Sequence, residues 1–192
     1  MIQIDQQNNQ ILSKACLNCQ DPHFQPPNPY ITKVGCCSYS PTFQLLEISK
    51  MCQDDIKQFW EIYQHPATII RPYTILLQAN IDESFQNISC DDFTSLEEED
   101  LKINHSICQL FEIGKGCSLQ PKFKNAVCRS FICSTIEEQL TEEEQLTMTS
   151  AIKAMHHETR EFQKQHSHLL KERSIDLLHN PNEVIQYFQS IK

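Results

Sequence analysis

The chain is poor in glycine and in basic residues, and both shortages exclude classes of function. Only three of its 192 residues are glycine, at positions 35, 114 and 116, so it contains neither a GxGxxG motif nor a P-loop for nucleotide phosphates. Sixteen Lys and Arg stand against 25 Asp and Glu, which gives a formal net charge of −9. Because phosphates and acidic membrane surfaces attract basic side chains, we expect no nucleic-acid partner and no membrane partner.

Long apolar runs are also missing. No run approaches the ~20 residues that are needed to span a bilayer. The opening residues, MIQIDQQNNQ, are polar and acidic, whereas a secretory signal needs a basic start and an apolar run of ~7–15 residues. We therefore expect a cytoplasmic protein. In a reducing cytosol, clustered cysteines more often bind metal or perform redox chemistry than form structural disulfides.

The chain is rich in cysteine. Eight of its ten cysteines form two groups, which are Cys16, Cys19, Cys36 and Cys37 near the N-terminus and Cys108, Cys117, Cys128 and Cys133 farther along. In the CxxC at residues 16–19, two sulfurs can approach one ion from a single tight turn. The redox interpretation of CxxC needs a thioredoxin-like βαβ context, and no strand pattern precedes it. We predict that all eight are metal ligands and that the two groups meet in the fold.

The remaining two cysteines are predicted to have no part in a metal centre. Cys52 lies on the apolar face of a helical pattern that starts near Ser40 and ends before Pro66, so we expect it in the hydrophobic core. Cys90 is isolated from the other cysteines in a polar, acidic stretch, and we expect that it does not bind the metal.

The order of the cysteine motifs resembles that of the YkgJ-type cysteine-cluster family, whose members are small bacterial proteins described as zinc- or iron-chelating. The motifs are a CxxC at Cys16 and Cys19, a vicinal pair at Cys36 and Cys37, the segment Cys108-Gln109-Leu110-Phe111, Gly116-Cys117, and Cys128-Arg129-Ser130-Phe131 followed by Cys133. The resemblance covers roughly residues 16–133. It implies a bound metal, and the module also looks related to part of flagellin lysine methylases.

Arg129 is the candidate cofactor-binding residue. Four thiolates around Zn²⁺ or a [4Fe–4S]²⁺ core carry a formal charge of roughly −2, and a guanidinium beside them would offset part of the cost of burying that charge. An ordinary surface ion pair is the alternative role for Arg129. Phe111 and Phe131 are expected either to cover the site against solvent or to serve as plain core residues.

The predicted fold class is mainly α, with irregular metal-stapled loops and at most a short β element. The one strand candidate is the β-branched segment 67–80, broken at Pro72. A capping-box pattern from Thr141 to Glu144 starts a long helix, which Asn180-Pro181 is expected to break, and the apolar residues from Val184 to Ile191 predict a short terminal helix. We expect residues 1–134 to form a cysteine-cluster domain and residues 135–192 to form a helical extension packed on it, as one compact unit.

The leading functional prediction is a cytoplasmic metal-binding protein that holds zinc or an iron or iron–sulfur centre through cysteine thiolates. Spacing leaves the choice of metal open. It also leaves open whether there are one or two sites, and whether His105 or His23 completes one. Two alternatives are an iron–sulfur-assisted, methylase-like group-transfer enzyme and an interaction module with structural zinc, which would recruit a protein partner through the C-terminal helices, residues 141–192.

Overall fold

The computed structural model describes residues 2–18, 21–35 and 37–191, and it is about 49% helix and 14% strand. The described strands are β1 Ile2–Asp5, β2 Gln10–Ser13, β3 Thr42–Phe43, β4 Thr68–Arg71, β5 Thr74–Leu77, β6 Asn80–Ile81, β7 Ser106–Ile107, β8 Phe111–Glu112 and β9 Gly116–Cys117. The described α-helices are α1 Leu45–Asp54, α2 Ile56–Tyr63, α3 Ser95–Asn104, α4 Ala126–Ser130, α5 Ser134–Glu137, α6 Glu142–Glu172 and α7 Pro181–Ser190. Short 3-10 turns lie at Lys14–Asn18, Pro22–Phe24, Glu83–Asn87 and Pro121–Phe123.

The strands form small antiparallel sheets, so the predicted fold class of a mainly α protein with at most a short β element is wrong. The sheets pair β1 with β2, β6 with β7, and β8 with β9, and the fourth has the order β3-β5-β4. Each strand has only two to four residues, too few for an alternating pattern to stand out in the sequence. The chain is a mixed α and β protein.

The segment 67–80 is a hairpin rather than a single broken strand. Ile70 pairs with Ile75 across β4 and β5, and Pro72 lies in the turn between the two strands. The N-terminus holds a second hairpin, β1 and β2, directly before the turn that carries Cys16. The expectation that no strand precedes Cys16 is therefore wrong, although the antiparallel pairing of β1 with β2 still differs from a βαβ unit.

The helical pattern before Pro66 corresponds to two helices, α1 and α2. Asp55 separates them with an extended backbone at φ −155° and ψ 77°, and its side chain accepts a hydrogen bond from the backbone N–H of Gln58 at 3.1 Å. An Asp in this position competes with the helical hydrogen bonds and caps the second helix. The predicted capping box of Thr141 and Glu144 and the short terminal helix are confirmed. The long helix, however, ends at Glu172, before the break predicted at Asn180-Pro181.

The main hydrophobic core draws on both predicted parts of the chain. It combines α1, α2 and β5 with the C-terminal end of α6 and with α7, and its fully buried members include Phe59, Leu170 and Phe188. Cys52 is 1% exposed within this core, as the sequence predicts. The division at residue 134 stays a prediction. None of the helices in the described ranges is both long enough and apolar enough to cross a membrane.

A second cluster of apolar residues lies where the N-terminal hairpin meets α5 and α6. It contains Ile11, Ile136, Leu140, Met148 and Met155, and Cys133 packs against it. The two clusters cover the inward faces of α6 and α7. Docking of a protein partner through residues 141–192 stays a prediction, and exposed apolar residues there are Leu146 on α6 and Leu178 between α6 and α7.

Candidate metal centre

A backbone hydrogen bond joins the two cysteine groups. The N–H of Cys108 donates to the carbonyl oxygen of Cys37 at 2.8 Å. Cys37 itself lies in a turn, because its N–H donates to the carbonyl oxygen of Val34 at 3.2 Å and Gly35 has a positive φ of 57°. The structure thus places one member of the N-terminal group directly beside the start of the second group.

The β8–β9 hairpin brings Cys117 back towards Cys108. Phe111 of β8 pairs with Cys117 of β9, and the N–H of Phe111 donates to the carbonyl oxygen of Cys108 at 3.0 Å. Gly114 and Gly116 make the tight turn possible, with φ values of 78° and 87° that L side chains rarely adopt. Cys117 itself is exposed.

Helix α4 carries Cys128 and is only five residues long. Asn125 caps it, since its side-chain oxygen accepts from the N–H of Cys128 at 2.8 Å while its amide nitrogen donates to the carbonyl oxygen of Thr42 at 3.0 Å. Because both contacts come from one side chain, the start of α4 is tied to β3.

The pKa values of the Cys108 and Cys128 thiols are raised, chiefly by burial, and neighbouring thiols contribute to both. Burial raises the pKa of Cys108 to about 11, and the thiols of Cys37 and Cys117 add to the increase. Burial also raises the pKa of Cys128 to about 12, to which Cys108, Cys117 and Cys37 all contribute. Like charges act in this way only at short range.

Cys128 combines this raised pKa with an exposed surface. Burial of the thiol is the largest cause of the raised pKa although the residue as a whole is exposed, and the thiols of Cys108, Cys117 and Cys37 add to it. The side chain of Lys124 acts in the opposite direction and lowers the pKa of Cys128, so the four-thiol set has a cation close to it.

A ready-made ligand set is not found among the described residues. Within residues 2–18, 21–35 and 37–191, no group of three or more Cys, His, Asp or Glu side chains is arranged to hold a metal ion. The metal-stapled loops of the predicted fold class are therefore not found in that part of the chain.

Two of the other predicted ligands line an adjoining cleft. Cys16 and Cys133 line it together with Cys37, and it encloses about 460 Å³. Its remaining walls are largely apolar and include Phe24, Phe111, Phe131, Val34 and Ile136. Cys19 and Cys36, the other two predicted ligands, lie outside the described residues. The assignment of all eight cysteines as ligands stays a prediction.

Arg129 lies in the interior and is completely buried. Its guanidinium faces two carboxylates, with Nη2 at 3.8 Å from Glu47 Oε1 and Nη1 at 3.7 Å from Glu158 Oε2. These distances exceed those of hydrogen bonds, and the side-chain nitrogens of Arg129 have no hydrogen-bond partner in the structure. A surface ion pair is excluded by the burial, and a direct role beside the thiolates stays a prediction.

His105, one candidate for completing the site, is otherwise engaged. It is buried at the end of α3, its Nδ1 lies 2.8 Å from the carbonyl oxygen of Leu101, and its ring packs on Phe85. The position of the His23 side chain lies outside what the structure describes. Cys90 is partly exposed, with its sulfur 3.8 Å from the carbonyl oxygen of Ile88.

Three residues around the thiols were not predicted from the sequence. Asn125 and Lys124 immediately precede α4, and an Asn before a short helix is a recognisable cap signal. Glu47 is fully buried on α1, and its position among the apolar residues Leu45, Leu46 and Ile48 is the signal that could have indicated a buried partner of opposite charge.

Comparisons with known proteins do not assign the chain to a family or the cysteine residues to a known site. A scan against protein-family models, a search of curated proteins and a search of solved structures each found no match to the chain.

Proposed function

We propose that the protein binds a thiophilic metal, either zinc or an iron or iron–sulfur centre, through Cys37, Cys108, Cys117 and Cys128. The observation that supports this most strongly is that backbone contacts bring together the turn with Cys37, the residue after β7, Cys108, and the β8–β9 hairpin with Cys117. The thiols of these three residues also raise the pKa of Cys128 on α4. Burial raises the pKa of Cys108 and Cys128, and neighbouring thiols add to the increase; a cation bound beside them would favour their thiolate forms.

The composition of the donor set favours a soft metal. The four side chains are all sulfur donors, and thiolates suit Zn²⁺, Cu(I) and iron–sulfur clusters better than Mg²⁺ or Ca²⁺. Lys124, the cation near Cys128, would offset part of the negative charge of a loaded centre. Cytoplasmic location belongs to the same proposal, because reduced thiols are required for ligation.

Anaerobic purification of the full chain followed by elemental analysis and an absorption spectrum tests the proposal. Zinc would give stoichiometric metal without visible colour, whereas an iron–sulfur centre would give iron, acid-labile sulfide and visible absorption. A fully folded protein that contains no metal, and that takes up neither zinc nor iron and sulfide after reduction, would contradict the proposed function.

A group-transfer enzyme is the second candidate, and the cleft beside the thiols favours it. Its volume of about 460 Å³ is within the range of small-molecule sites, which are mostly apolar with a few polar groups. Cys37 belongs to both the cleft and the four-thiol set, so a bound substrate would lie beside the centre. Calorimetry of S-adenosylmethionine with the metal-loaded protein tests this candidate, and the absence of any heat of binding would exclude that cofactor.

A further inference from the structure

A second cavity lies where α1, α4 and α6 meet the segment before β3, and it encloses about 230 Å³. Two of the residues that line it, Tyr39 and Val127, are exposed, whereas Glu47 and Thr159 are buried. The cavity therefore leads from the surface to polar groups in the interior. Cys128 lines it as well, but the cavity differs from the cleft that Cys37 and Cys133 line.

The carboxylate of Glu47 is the buried group of this cavity that lacks a partner. Its Oε2 accepts a hydrogen bond from the backbone N–H of Gln44 at 2.9 Å. Its Oε1 has no hydrogen-bond partner among the described residues, since Nη2 of Arg129 lies 3.8 Å away, beyond hydrogen-bond distance. A buried acceptor without a donor costs free energy and indicates a place where a further donor fits.

The charge of Glu47 is also incompletely compensated. Burial raises the pKa of Glu47 to about 7, although the nearby cations Arg129 and Lys50 act in the opposite direction. A donor that carries a positive charge would stabilise the ionised carboxylate more than a neutral donor would. The missing partner of Oε1 is therefore best supplied by a cation.

The other buried polar groups of the cavity leave acceptors available. The hydroxyl of Thr159 donates to the carbonyl oxygen of Met155 at 3.0 Å, so the lone pairs of its oxygen can still accept a hydrogen bond. The amide nitrogen of Asn125 already donates to the carbonyl oxygen of Thr42, and its oxygen accepts from the N–H of Cys128. Glu47 and Thr159 together thus suit a ligand with several donors.

The remaining walls limit the size and shape of such a ligand. Pro41, Ala126 and Val127 line the cavity with apolar surface, against which a short hydrocarbon chain can pack. A volume of about 230 Å³ is below the ~300–1,000 Å³ of sites for drug-sized ligands. The ligand is therefore a molecule of few heavy atoms.

We propose that this cavity binds a short aliphatic primary amine in its ammonium form, which donates hydrogen bonds to Glu47 Oε1 and Thr159 Oγ1. An ammonium group has three donors and no acceptor, and this matches two acceptors with room for a third. The alkyl chain lies along Pro41, Ala126 and Val127. The Cys128 thiol takes no part in these contacts, so the amine site does not rest on the proposed metal function.

Calorimetry of the metal-free, reduced full chain at pH 8, above the pKa of Glu47, tests the proposal with n-butylammonium as the probe. We expect saturable binding at one site. 1-Butanol has the same number of heavy atoms but no charge, and tetramethylammonium has the charge but no N–H donor. Each should bind at least about tenfold more weakly, as expected when a charge-assisted hydrogen bond is lost.

Variants of the lining residues locate the site. Glu47→Gln removes the charge with little change of shape and should lower the affinity for butylammonium at least about tenfold. Val127→Trp fills the entrance at a position that is 50% exposed and should abolish binding, so the test stays decisive if Glu47→Gln does not fold. Glu161→Gln makes the same chemical change as Glu47→Gln at an exposed position of α6 and should leave the affinity unchanged.

The absence of any heat of binding with butylammonium would overturn the proposal, and so would equal affinities in the wild type, Glu47→Gln and Val127→Trp. Equal affinities for butylammonium and 1-butanol would overturn it too, because they would indicate a site for apolar chains alone. None of these results bears on the metal content of the protein. A wild type that binds butylammonium but contains no metal and takes up none would contradict only the proposed function.

Discussion

The N–H of Cys108 donates a 2.8 Å hydrogen bond to the carbonyl oxygen of Cys37, and this contact brings together two cysteine groups that are far apart in the sequence. Cys108 is also the residue from which the β8–β9 hairpin starts, since its carbonyl oxygen accepts from the N–H of Phe111. One residue therefore links the N-terminal turn to the hairpin.

Single replacements should separate ligands from bystanders. In Cys128→Ser we expect the bound metal to fall well below that of the wild type, because a lost ligand removes binding energy that is coupled to folding. Cys90→Ser is the matched control, since its partly exposed thiol stands apart from the four-thiol set. Elemental analysis of both purified variants measures the effect, and equal metal in the two would overturn the ligand assignment.

The hairpin turn should matter for Cys117. Gly116 has a φ of 87°, and an L side chain there costs roughly 1–2 kcal/mol. Gly116→Ala should therefore disturb the turn and weaken metal binding. Ile113→Ala alters an exposed side chain, 78% accessible, in the same turn and should change little. Competition titration with a metal indicator compares the two, and similar affinities would show that hairpin geometry is unimportant for the site.

Glu47 should make the protein less stable as the pH rises. Burial raises the pKa of Glu47 from 4.5 to about 7. A carboxyl group whose pKa is higher in the folded than in the unfolded state stabilises the fold while it is protonated. For Glu47 this stabilisation, roughly 3 kcal/mol, is complete below about pH 4.5 and is lost as the pH rises to about 7. Glu47→Gln cannot titrate, so its free energy of unfolding should depend less on pH over that interval.

Urea unfolding of the wild type and Glu47→Gln at pH 5 and pH 8 measures this difference. The prediction concerns the difference in the free energy of unfolding between pH 5 and pH 8, because Glu47→Gln can also shift this free energy equally at the two pH values. Parallel pH dependences of the free energy of unfolding in the two proteins would contradict a raised pKa of Glu47.

A buried hydrogen bond holds α6 against α7. Nδ1 of His166 lies 2.7 Å from the hydroxyl of Tyr187, and both residues are buried. Tyr187→Phe should destabilise the protein by about 1–3 kcal/mol, because the histidine nitrogen loses its partner while it stays buried. Tyr30→Phe removes a hydroxyl from a residue that is 94% exposed and should have almost no effect. Denaturant unfolding gives both values, and equal stabilities would contradict the prediction.

Local signals in the sequence are sufficient where neighbouring residues determine the structure. The capping box of Thr141 and Glu144 and the burial of Cys52 follow from helical capping and periodicity. The strands could not be predicted in the same way, because segments of two to four residues gain their stability from the strand with which they pair.

In the candidate site, too, the sequence predicts local features and does not predict contacts between distant segments. The cysteine motifs identify the thiols, but only the tertiary fold determines that Cys37 meets Cys108. Sequence reasoning predicts that Arg129 is important and does not predict its burial, because its partners Glu47 and Glu158 come from two other helices. Contacts between distant segments depend on packing, for which a single sequence gives no periodic signal.

X-ray absorption at the metal edge of the loaded protein tests the central claim most directly. The four-thiol assignment predicts about four sulfur neighbours, at about 2.3 Å if the metal is zinc, and one fewer in Cys117→Ser. A shell made mainly of nitrogen and oxygen, with at most one sulfur, would contradict a centre formed by Cys37, Cys108, Cys117 and Cys128.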